Sequence, residues 1–525
     1  MTDYAISNVD IGIIVGYFFV VLFIGFAFSR KNNTGKDFFL AGRSLGWVAI
    51  GFSLFASNIS SSTIIGLSGQ AYRSGISVSN YEWMAVPLLV FMTIFFIPFF
   101  IRSKISTIPE FLEKRYSRFA RRYVSLFTIL LMVIVDTASS LFAGVLVLQM
   151  FFPNLGGWQT YLVLTMLAGA YTATGGLRAV VFTDILQAVI ILLGGSILLF
   201  AVLGQFDYSW DAAMATVPAP NASLIQPLDD KNLPWLGTLI GVPVLGFYYW
   251  STTQIICQRI LGARDLNNAR WGALLGGFLK LPVLFLMVIP GLFAATLLPG
   301  LENSDLVFAE MVVTLLPPGV IGIVLAGLIA AIMSSIDSAL NASSALIVMD
   351  FIQPSRPELT PTEIGKYGRI TTLFLMVFAA LWAPMISNFD GIFDYLQIVL
   401  SFLVPPIVTV FLMGVLWARG NSVAAKYTLI FGHLICGITA SLYFSDMVGQ
   451  LHFTIIAGIL TFICIGIYVI ISLRSEAPEF KFVDDLTWKY RLRETSEVKV
   501  AWYFDYRFLS SILMILTFLL LFFFW

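Results

Sequence analysis

This chain of 525 residues is poor in charge, histidine and cysteine. Only 11% of its residues are charged, and it has 2 histidines and 3 cysteines, whereas 58% of its residues are hydrophobic. A soluble domain of that composition would precipitate, so we expect a polytopic membrane protein. The formal net charge of zero offers no field that would attract nucleic acid. Cys257, Cys436 and Cys464 lie in or beside apolar segments without CxxC spacing, which predicts buried thiols and excludes a disulfide framework or a cysteine metal site.

The apolar residues form continuous runs rather than short alternating ones. Runs of about 20 residues predict transmembrane helices and exclude a β-barrel, whose strands alternate over about ten residues. The N-terminal residues lack a basic region and a cleavage site, so the first run is expected to remain as an anchor. Fourteen segments are long enough to cross a bilayer, at 10–29, 45–71, 80–101, 123–151, 158–175, 178–203, 234–256, 271–298, 318–349, 367–388, 391–417, 425–445, 450–473 and 508–525.

The positions of lysine and arginine predict the orientation. With fourteen spans and the N-terminus outside, every basic residue except Arg73, Lys231 and Lys280 falls in a cytoplasmic loop, as the positive-inside rule requires. Both termini are then extracellular or periplasmic, in the cell (inner) membrane. The longest loops, 204–233 outside and 474–507 inside, are too short for an appended soluble domain. We therefore expect one membrane domain, 1–525, with no nucleic-acid partner and no obligatory protein partner.

Two of the predicted spans are interrupted by polar residues at mid-depth. One contains the cluster from Ala56 to Thr63, and the other, five spans later, contains the stretch from Gly246 to Thr253. Irregular backbone survives in a bilayer only where it is buried in protein or lines a cavity, and paired broken helices indicate an inverted-repeat transporter. The expected core is a 5+5 repeat over 45–417, preceded by the extra helix 10–29 and followed by three helices over 425–525.

A second cluster of small and hydroxyl residues runs from Ala330 to Ser338 in another apolar segment. Asp337 follows Ser334 by three residues and Ser335 by two, so all three lie on one or two turns of one helix. Together with carbonyls of the broken helix they offer oxygen ligands to a hard monovalent cation such as sodium. The alternative is close helix packing, with the hydroxyls bonded to the preceding turn.

Ionisable residues within spans are costly and therefore candidates for function, although ion pairing or a wet helix end would also explain them. The sequence has six of them: Glu82, Asp136, Asp184, Lys280, Asp337 and Asp394. Sugar sites combine an aromatic platform with amide, carboxylate and ammonium groups. That mixture would be available if the following side chains converge: Asn58, Glu82, Tyr249, Trp250, Lys280 and Gln397.

Over essentially its whole length the chain resembles the sodium:solute symporter family, and within it the sodium/glucose cotransporter branch. The resemblance is carried by many motifs in order: ASNI at 56–59, YEW at 81–83, IPEF at 108–111, GGL at 175–177, TDILQ at 183–187, YYW at 248–250 with Gln254 and QR at 258–259, FLK at 278–280, SS at 334–335 with Asn341, MD at 349–350 and FDYLQ at 393–397. It implies an all-α, leucine-transporter-like fold and sodium-coupled symport of a neutral sugar, a hexose such as glucose or galactose, by alternating access.

The resemblance also implies roles for individual residues. The sodium site would use Ala56, Ile59, Ala331, Ser334 and Ser335, and a second sodium would use Asp184, Ser334, Asp337 and Ser338. The sugar contacts would be Asn58, Glu82, Trp250, Lys280 and Gln397, with Thr63 at a substrate position where sugar-transporting members have Gln or His. Tyr249 would be the inner gate beneath the sugar, and the outer gate would be Leu67, Tyr81 and Phe393.

Several positions depart from the family pattern. Ala85 and Gly246 lack the polar side chains expected there, and Asp337 is an acid where Ser or Thr is expected, which favours a second sodium. Asp136 stands near the position where sialic-acid-transporting members have an arginine, and an acid there would repel an anionic substrate. The alternatives are a symporter of another neutral solute such as inositol, or a sodium/solute sensor without flux. An enzyme is not expected, because His433 and His452 lie in late spans without a nucleophile or metal pattern.

Overall fold

A computed structural model describes residues 7–29, 35–151, 157–445, 447, 451–479, 483, 486–488 and 500–525. Within these residues the structure is all-helical and contains no β-strand. The expected all-α fold is thus confirmed for the part of the chain that is described.

The principal helices are labelled in chain order. They are α1 (Asn8–Ser29), α2 (Trp47–Asn58), α3 (Ser61–Ser74), α4 (Ala85–Phe95), α5 (Arg118–Leu131), α6 (Ala138–Phe151), α7 (Gly157–Gly204), α8 (Val242–Phe247), α9 (Gln254–Leu261), α10 (Leu266–Lys280), α11 (Ile289–Leu297), α12 (Val320–Leu346), α13 (Pro361–Trp382), α14 (Ile392–Leu403), α15 (Pro405–Leu416), α16 (Ser422–Phe444), α17 (Phe453–Arg474) and α18 (Tyr506–Phe523). Short helices lie between them: Gly35–Leu40, Ser79–Trp83, Ile97–Ser103, Ile108–Arg115, Trp210–Met214, Trp235–Ile240, Val307–Leu315 and Gln353–Ser355.

By length and composition, ten helices of the described residues could cross a membrane, or twelve if each of two bent pairs is one span. The predicted count of fourteen is therefore not confirmed. The two predicted spans that do not qualify are 158–175 and 234–256. The first is part of α7, which turns at Gly176 with φ 59°, a conformation that favours glycine. The second is divided into short helices.

Both predicted helix breaks are present. The chain bends by 56° between α2 and α3, where Ser60 adopts an extended conformation and its side chain accepts the N–H of Thr63 at 3.0 Å. This N-cap starts a new helix immediately after the break. The second break is a π-helical turn over Tyr248–Thr252, after which Thr253 is extended (φ −71°, ψ 141°). A further bend of 59° separates α14 from α15.

The helices pack as two groups that meet at the breaks. One group contains α2, α4 and α10, and the other contains α7, α12 and α13. Helix α2 also contacts α7 and α12, so the broken helix lies between the groups. Helix α1 packs on α7 and α12, and its Asp10 carboxylate accepts the N–H groups of Gly319 at 2.7 Å and Gly322 at 2.6 Å. That contact satisfies free donors at the N-terminus of α12.

Candidate substrate and sodium sites

A cavity of about 100 Å³ lies beside the two helix breaks. Its size fits a small solute rather than an oligomer or a macromolecule. Of the predicted substrate and gate residues, eight line it: Asn58, Thr63, Tyr81, Glu82, Tyr249, Trp250, Phe393 and Gln397. The sequence prediction thus identified side chains that the fold brings together from four separate segments.

Lys280 is not a lining residue but lies behind one. Its ammonium is fully buried and donates to the carboxylate of Glu82, forming an ion pair with it. The ammonium is also 5.6 Å from the ring centroid of Trp250, within cation–π range. Lys280 therefore neutralises and orients Glu82, whose carboxylate borders the cavity.

Tyr249 and Trp250 supply the aromatic part of the cavity. Their rings make an edge contact with centroids 5.4 Å apart. The Tyr249 hydroxyl donates to the carbonyl of Ser57 at 3.3 Å, close to the end of α2, where helix carbonyls lose their intrahelical partners. Tyr249 thus links one helix break to the other.

At another part of the cavity, Tyr81 and Phe393 meet edge to face at 5.2 Å. Leu67, the third predicted member of this gate, is fully buried and does not line the cavity. Beyond the aromatic pair, Arg73 contacts Asp394 at 2.8 Å and donates to Gln70. This Arg73–Asp394 ion pair, called the latch below, was not predicted from the sequence, although Arg73 is one of the two basic residues predicted in outer loops.

Asp305 lies next to this latch, outside the spanning segments. Its carboxylate accepts the N–H of Ile392 at 3.1 Å, which joins the loop before α12 to the start of α14. Burial raises the pKa of Asp305 to about 6, although the Ile392 hydrogen bond and Arg73 act in the opposite direction. Burial therefore makes Asp305 hold a proton more readily than an exposed aspartate does.

The predicted sodium-site residues lie where the end of α2 faces α12. The hydroxyl oxygens of Ser57 and Ser338 are 3.1 Å apart, so the two elements are in direct contact. Ser335 borders the cavity, and its hydroxyl donates to the carbonyl of Ala331 at 2.9 Å. The remaining predicted ligands are buried: Ala56, Ile59, Ala331 and Ser334. Carbonyl and hydroxyl oxygens suit a hard cation, so the residues present fit sodium.

Asp184 is the centre of a buried polar network next to that site. Its carboxylate accepts the hydroxyls of Ser334 at 2.6 Å and Ser53 at 2.5 Å, and it forms a 3.0 Å ion pair with Arg259. Arg259 also donates to Ser338 at 2.6 Å. A guanidinium therefore already provides positive charge where the second sodium is predicted.

Asp337, the fourth residue predicted at that second site, lies on α12 about one turn after Ser334. It follows Ala330 and Met333 at helical spacing, and those two residues pack against Tyr17 and Val21 of α1. The side chain is fully buried. Asp184 thus contacts Ser334 directly and is linked to Ser338 through Arg259, while Asp337 is near the residues of α12 that face α1.

Comparison with known proteins agrees with this architecture. The model of the sodium:solute symporter family matches residues 38–432 of this chain. Sodium/glucose cotransporter 4 of Danio rerio is 31% identical over 95% of this chain and 84% of its own. Sodium/glucose cotransporter 1 of Oryctolagus cuniculus is 34% identical over 81% and 71%, and sodium/myo-inositol cotransporter 2 of Homo sapiens is 32% identical over 91% and 78%.

Solved structures show the same fold. A sodium-coupled sialic acid symporter in a substrate-bound outward-open state superimposes with a TM-score of 0.79 at 22% identity, covering 90% of this chain and 99% of that one. Mhp1, a nucleobase-cation-symport-1 family transporter in a closed conformation, gives 0.58 at 15% identity, covering 87% and 99%. The predicted leucine-transporter-like fold is confirmed, and the chain belongs to the sodium:solute symporter family of multi-pass membrane transporters.

Proposed function

We propose that the solute carried by this sodium-coupled symporter is a neutral sugar, a hexose such as glucose or galactose. The observation that carries the proposal is the composition of the cavity. One carboxylate held by a buried ammonium, two amide side chains and four aromatic rings border the same small space. Amides and carboxylates match ring hydroxyls, and an aromatic surface matches the C–H face of a pyranose.

The proposed roles follow from these positions. Glu82, held by Lys280, accepts hydroxyl hydrogen bonds, while Asn58 and Gln397 provide a donor and an acceptor each. The Oδ1 atom of Asn58 is buried and has no hydrogen-bond partner within the described residues. A substrate hydroxyl would satisfy it, and leaving it unsatisfied costs about 1–3 kcal/mol.

The proposed coupling uses the contact between α2 and α12. Carbonyls of Ala56, Ile59 and Ala331, with the hydroxyls of Ser334 and Ser335 on α12, would hold the ion, which when bound supplies positive charge between the two elements. Asn58 lies on the same break, so an arrangement that favours the ion also positions a sugar contact. Each ligand then raises the affinity for the other by the same factor. The membrane potential adds about 2.3 kcal/mol per charge for each 100 mV.

We also propose a second sodium at Asp184, Ser334, Asp337 and Ser338. The dense set of oxygen atoms around Asp184 supports it. Because Arg259 occupies part of that set, binding of the second ion requires Arg259 to release Ser338 or Asp184. The cost of that release makes this the weaker of the two sites.

Transport by purified protein in liposomes tests the function. We expect labelled hexose to accumulate inside only when sodium is higher outside than inside, and to leave when the gradient is reversed. Binding of hexose without sodium-driven accumulation would identify a sensor and contradict transport. Replacement of sodium by potassium on both sides is the matched control.

A cyclitol is the second candidate, because relatives named sodium/myo-inositol cotransporter 2 match this chain at 31–33% identity. Hexose and inositol offer similar hydroxyl patterns to the cavity. A competition assay decides between them. A hexose substrate requires that unlabelled hexose inhibit uptake at concentrations at least tenfold below those of inositol.

The location in a cell membrane with both termini outside rests on the distribution of lysine and arginine. Labelling of single cysteines introduced in loops 204–233 and 474–507 by an impermeant reagent tests it. Labelling of intact cells is expected in the first loop only.

A further inference from the structure

Helices α5 and α16 lie side by side, and a seam runs between them on the outside of the helix bundle. The Tyr123 hydroxyl of α5 donates to the carbonyl of Leu429 at 3.2 Å and lies 3.2 Å from Nδ1 of His433, both on α16. The imidazole of His433 also packs on the ring of Phe127, with centroids 4.1 Å apart. These contacts fix the two helices against each other, so the seam has a defined shape.

The outside of the seam is a stripe of large apolar side chains. The exposed members recur about one turn apart along the two helices, and they are Leu126, Leu130, Ile430, Phe431, Leu434 and Ile438. Both helices are long and apolar enough to cross a membrane, so the stripe meets acyl chains. Its part on α16, from Ile430 to Ile438, extends about 12 Å along the helix axis.

At one end of the stripe the surface becomes basic and aromatic. The ammonium of Lys426, near the start of α16, is 5.6 Å from the ring centroid of Phe119 on α5 and 5.9 Å from that of Tyr427. Lys426 therefore lies across the seam. Arg122 follows Phe119 by three residues, which places it on a neighbouring part of the same face of α5. Both basic side chains are exposed.

These two basic residues differ from their neighbours in having no counter-charge. Arg118 contacts Glu113 at 3.1 Å, and Arg121 contacts the same carboxylate at 2.6 Å. Within the described part of the chain, neither Arg122 nor Lys426 forms an ion pair with a carboxylate. Both helices also begin at this end, so their free N–H groups and dipoles add positive potential.

We infer that the seam between α5 and α16 binds an anionic phospholipid of the surrounding bilayer, in the leaflet on the side of the basic loops. The phosphate lies against Arg122 and Lys426, and an acyl chain follows the apolar stripe toward the middle of the membrane. Basic pockets between membrane helices bind anionic headgroups in this way. A zwitterionic lipid brings its own cation to the two basic side chains and therefore binds less tightly. This surface is away from the cavity, so the inference does not depend on which solute is carried.

Native mass spectrometry of the full chain in a neutral detergent measures the binding. Phosphatidylglycerol and phosphatidylcholine with identical acyl chains are titrated against wild type, the seam variant Arg122→Gln/Lys426→Gln and the control Lys366→Gln/Arg369→Gln. The control residues are exposed basic side chains of α13, another helix that could cross a membrane. The control thus removes the same number of charges from a membrane helix but leaves the seam intact.

Wild type should bind phosphatidylglycerol more tightly than phosphatidylcholine. Each basic residue near an anionic lipid surface raises the affinity about fivefold, so the seam variant should need about 25-fold more phosphatidylglycerol for half-saturation. Its affinity for phosphatidylcholine and the affinity of the control for either lipid should change by less than about twofold. If the seam variant does not fold, Lys426→Gln alone decides, with an expected loss of about fivefold.

Three results would overturn the inference. The first is equal affinity of wild type for the two lipids. The second is a loss of phosphatidylglycerol binding in the control as large as that in the seam variant, which would indicate general attraction to basic residues rather than a site. The third is displacement of phosphatidylglycerol by inorganic phosphate at the same concentration, which would assign the two basic side chains to a soluble anion. Each of these results leaves the proposed transport of a sugar standing.

Discussion

Removal of Lys280 should destabilise the protein far more than removal of an ordinary basic residue. Its ammonium is fully buried, and Glu82, its partner, is 9% exposed. Lys280→Met leaves the Glu82 carboxylate next to an apolar side chain, and Glu82→Gln leaves the ammonium without its counter-charge. Breaking one side of a buried pair costs about 3–5 kcal/mol, whereas replacing both sides with neutral groups is often close to neutral. We therefore expect each single variant to lose about 3–5 kcal/mol and the double variant Glu82→Gln/Lys280→Met to recover most of that loss.

The assay combines stability with transport. Equilibrium unfolding by SDS titration, followed by tryptophan fluorescence, gives the free energies for wild type, both single variants and the double variant. Lys231→Met is the control, since Lys231 is exposed on loop 204–233 and should change stability by less than about 0.5 kcal/mol. Uptake by the double variant should stay low despite the recovered stability, because the polar groups that meet the solute are gone.

The stability reasoning would be refuted if the losses of the two single variants simply add in the double variant. Additivity means that the two side chains do not depend on each other. The transport reasoning would be refuted by normal KM in a well-folded double variant. The unfolding free energies and the KM for hexose test the two parts of the reasoning separately. Together they distinguish a purely structural ion pair from one that also positions a group for the solute.

Three further predictions concern the ions and the outer latch. Ser335→Ala should raise the sodium concentration needed for half-maximal uptake while leaving stability within about 1 kcal/mol, because among the described residues its hydroxyl donates only to the carbonyl of Ala331, one turn earlier in the same helix. Unchanged sodium dependence would contradict the assigned site. Burial raises the pKa of Asp305 to about 6, so the arrangement that buries Asp305 beside the latch is more stable when the carboxyl is protonated. This stabilisation is fully present at low pH and is lost as the pH rises through about 6. Uptake should thus fall when the external pH drops from about 7 to 5, and Asp305→Asn should abolish that dependence. If both proposed sodium sites are used, reversal potentials should give two charges per neutral solute, and a ratio of one would exclude the second site.

Composition and hydropathy by themselves determined the class of this protein and the places of most of the helices that are long and apolar enough to cross a membrane. Continuous apolar runs form helices in a bilayer, because a helix makes all its backbone hydrogen bonds within one segment, whereas an open sheet would leave an edge without partners. The polar clusters at 56–63 and 246–253 interrupt two of those runs, and the structure bends or unwinds at both. Local sequence sufficed because the cause of each break, a serine cap or a π turn, lies within a few residues of it.

The number of spans was less predictable. Segment 234–256 has the composition of a single span but folds as several short helices, because the break within it divides the apolar length. Segment 158–175 is the part of α7 that precedes the turn at Gly176. Hydropathy measures apolar length and is insensitive to such backbone detail.

The partners of the charged residues were decided by tertiary structure alone. Sequence identified Glu82, Lys280, Asp184 and Asp394 as costly, but the basic side chains that meet three of these carboxylates come from positions 75 to 321 residues away in the chain. Local patterns carry no information on such pairing, because it depends on how distant helices pack. The same packing brings Asp136 to the wall of the cavity that Glu82 and Gln397 also line, although the three residues are far apart in the chain, because only the folded protein decides which helices meet.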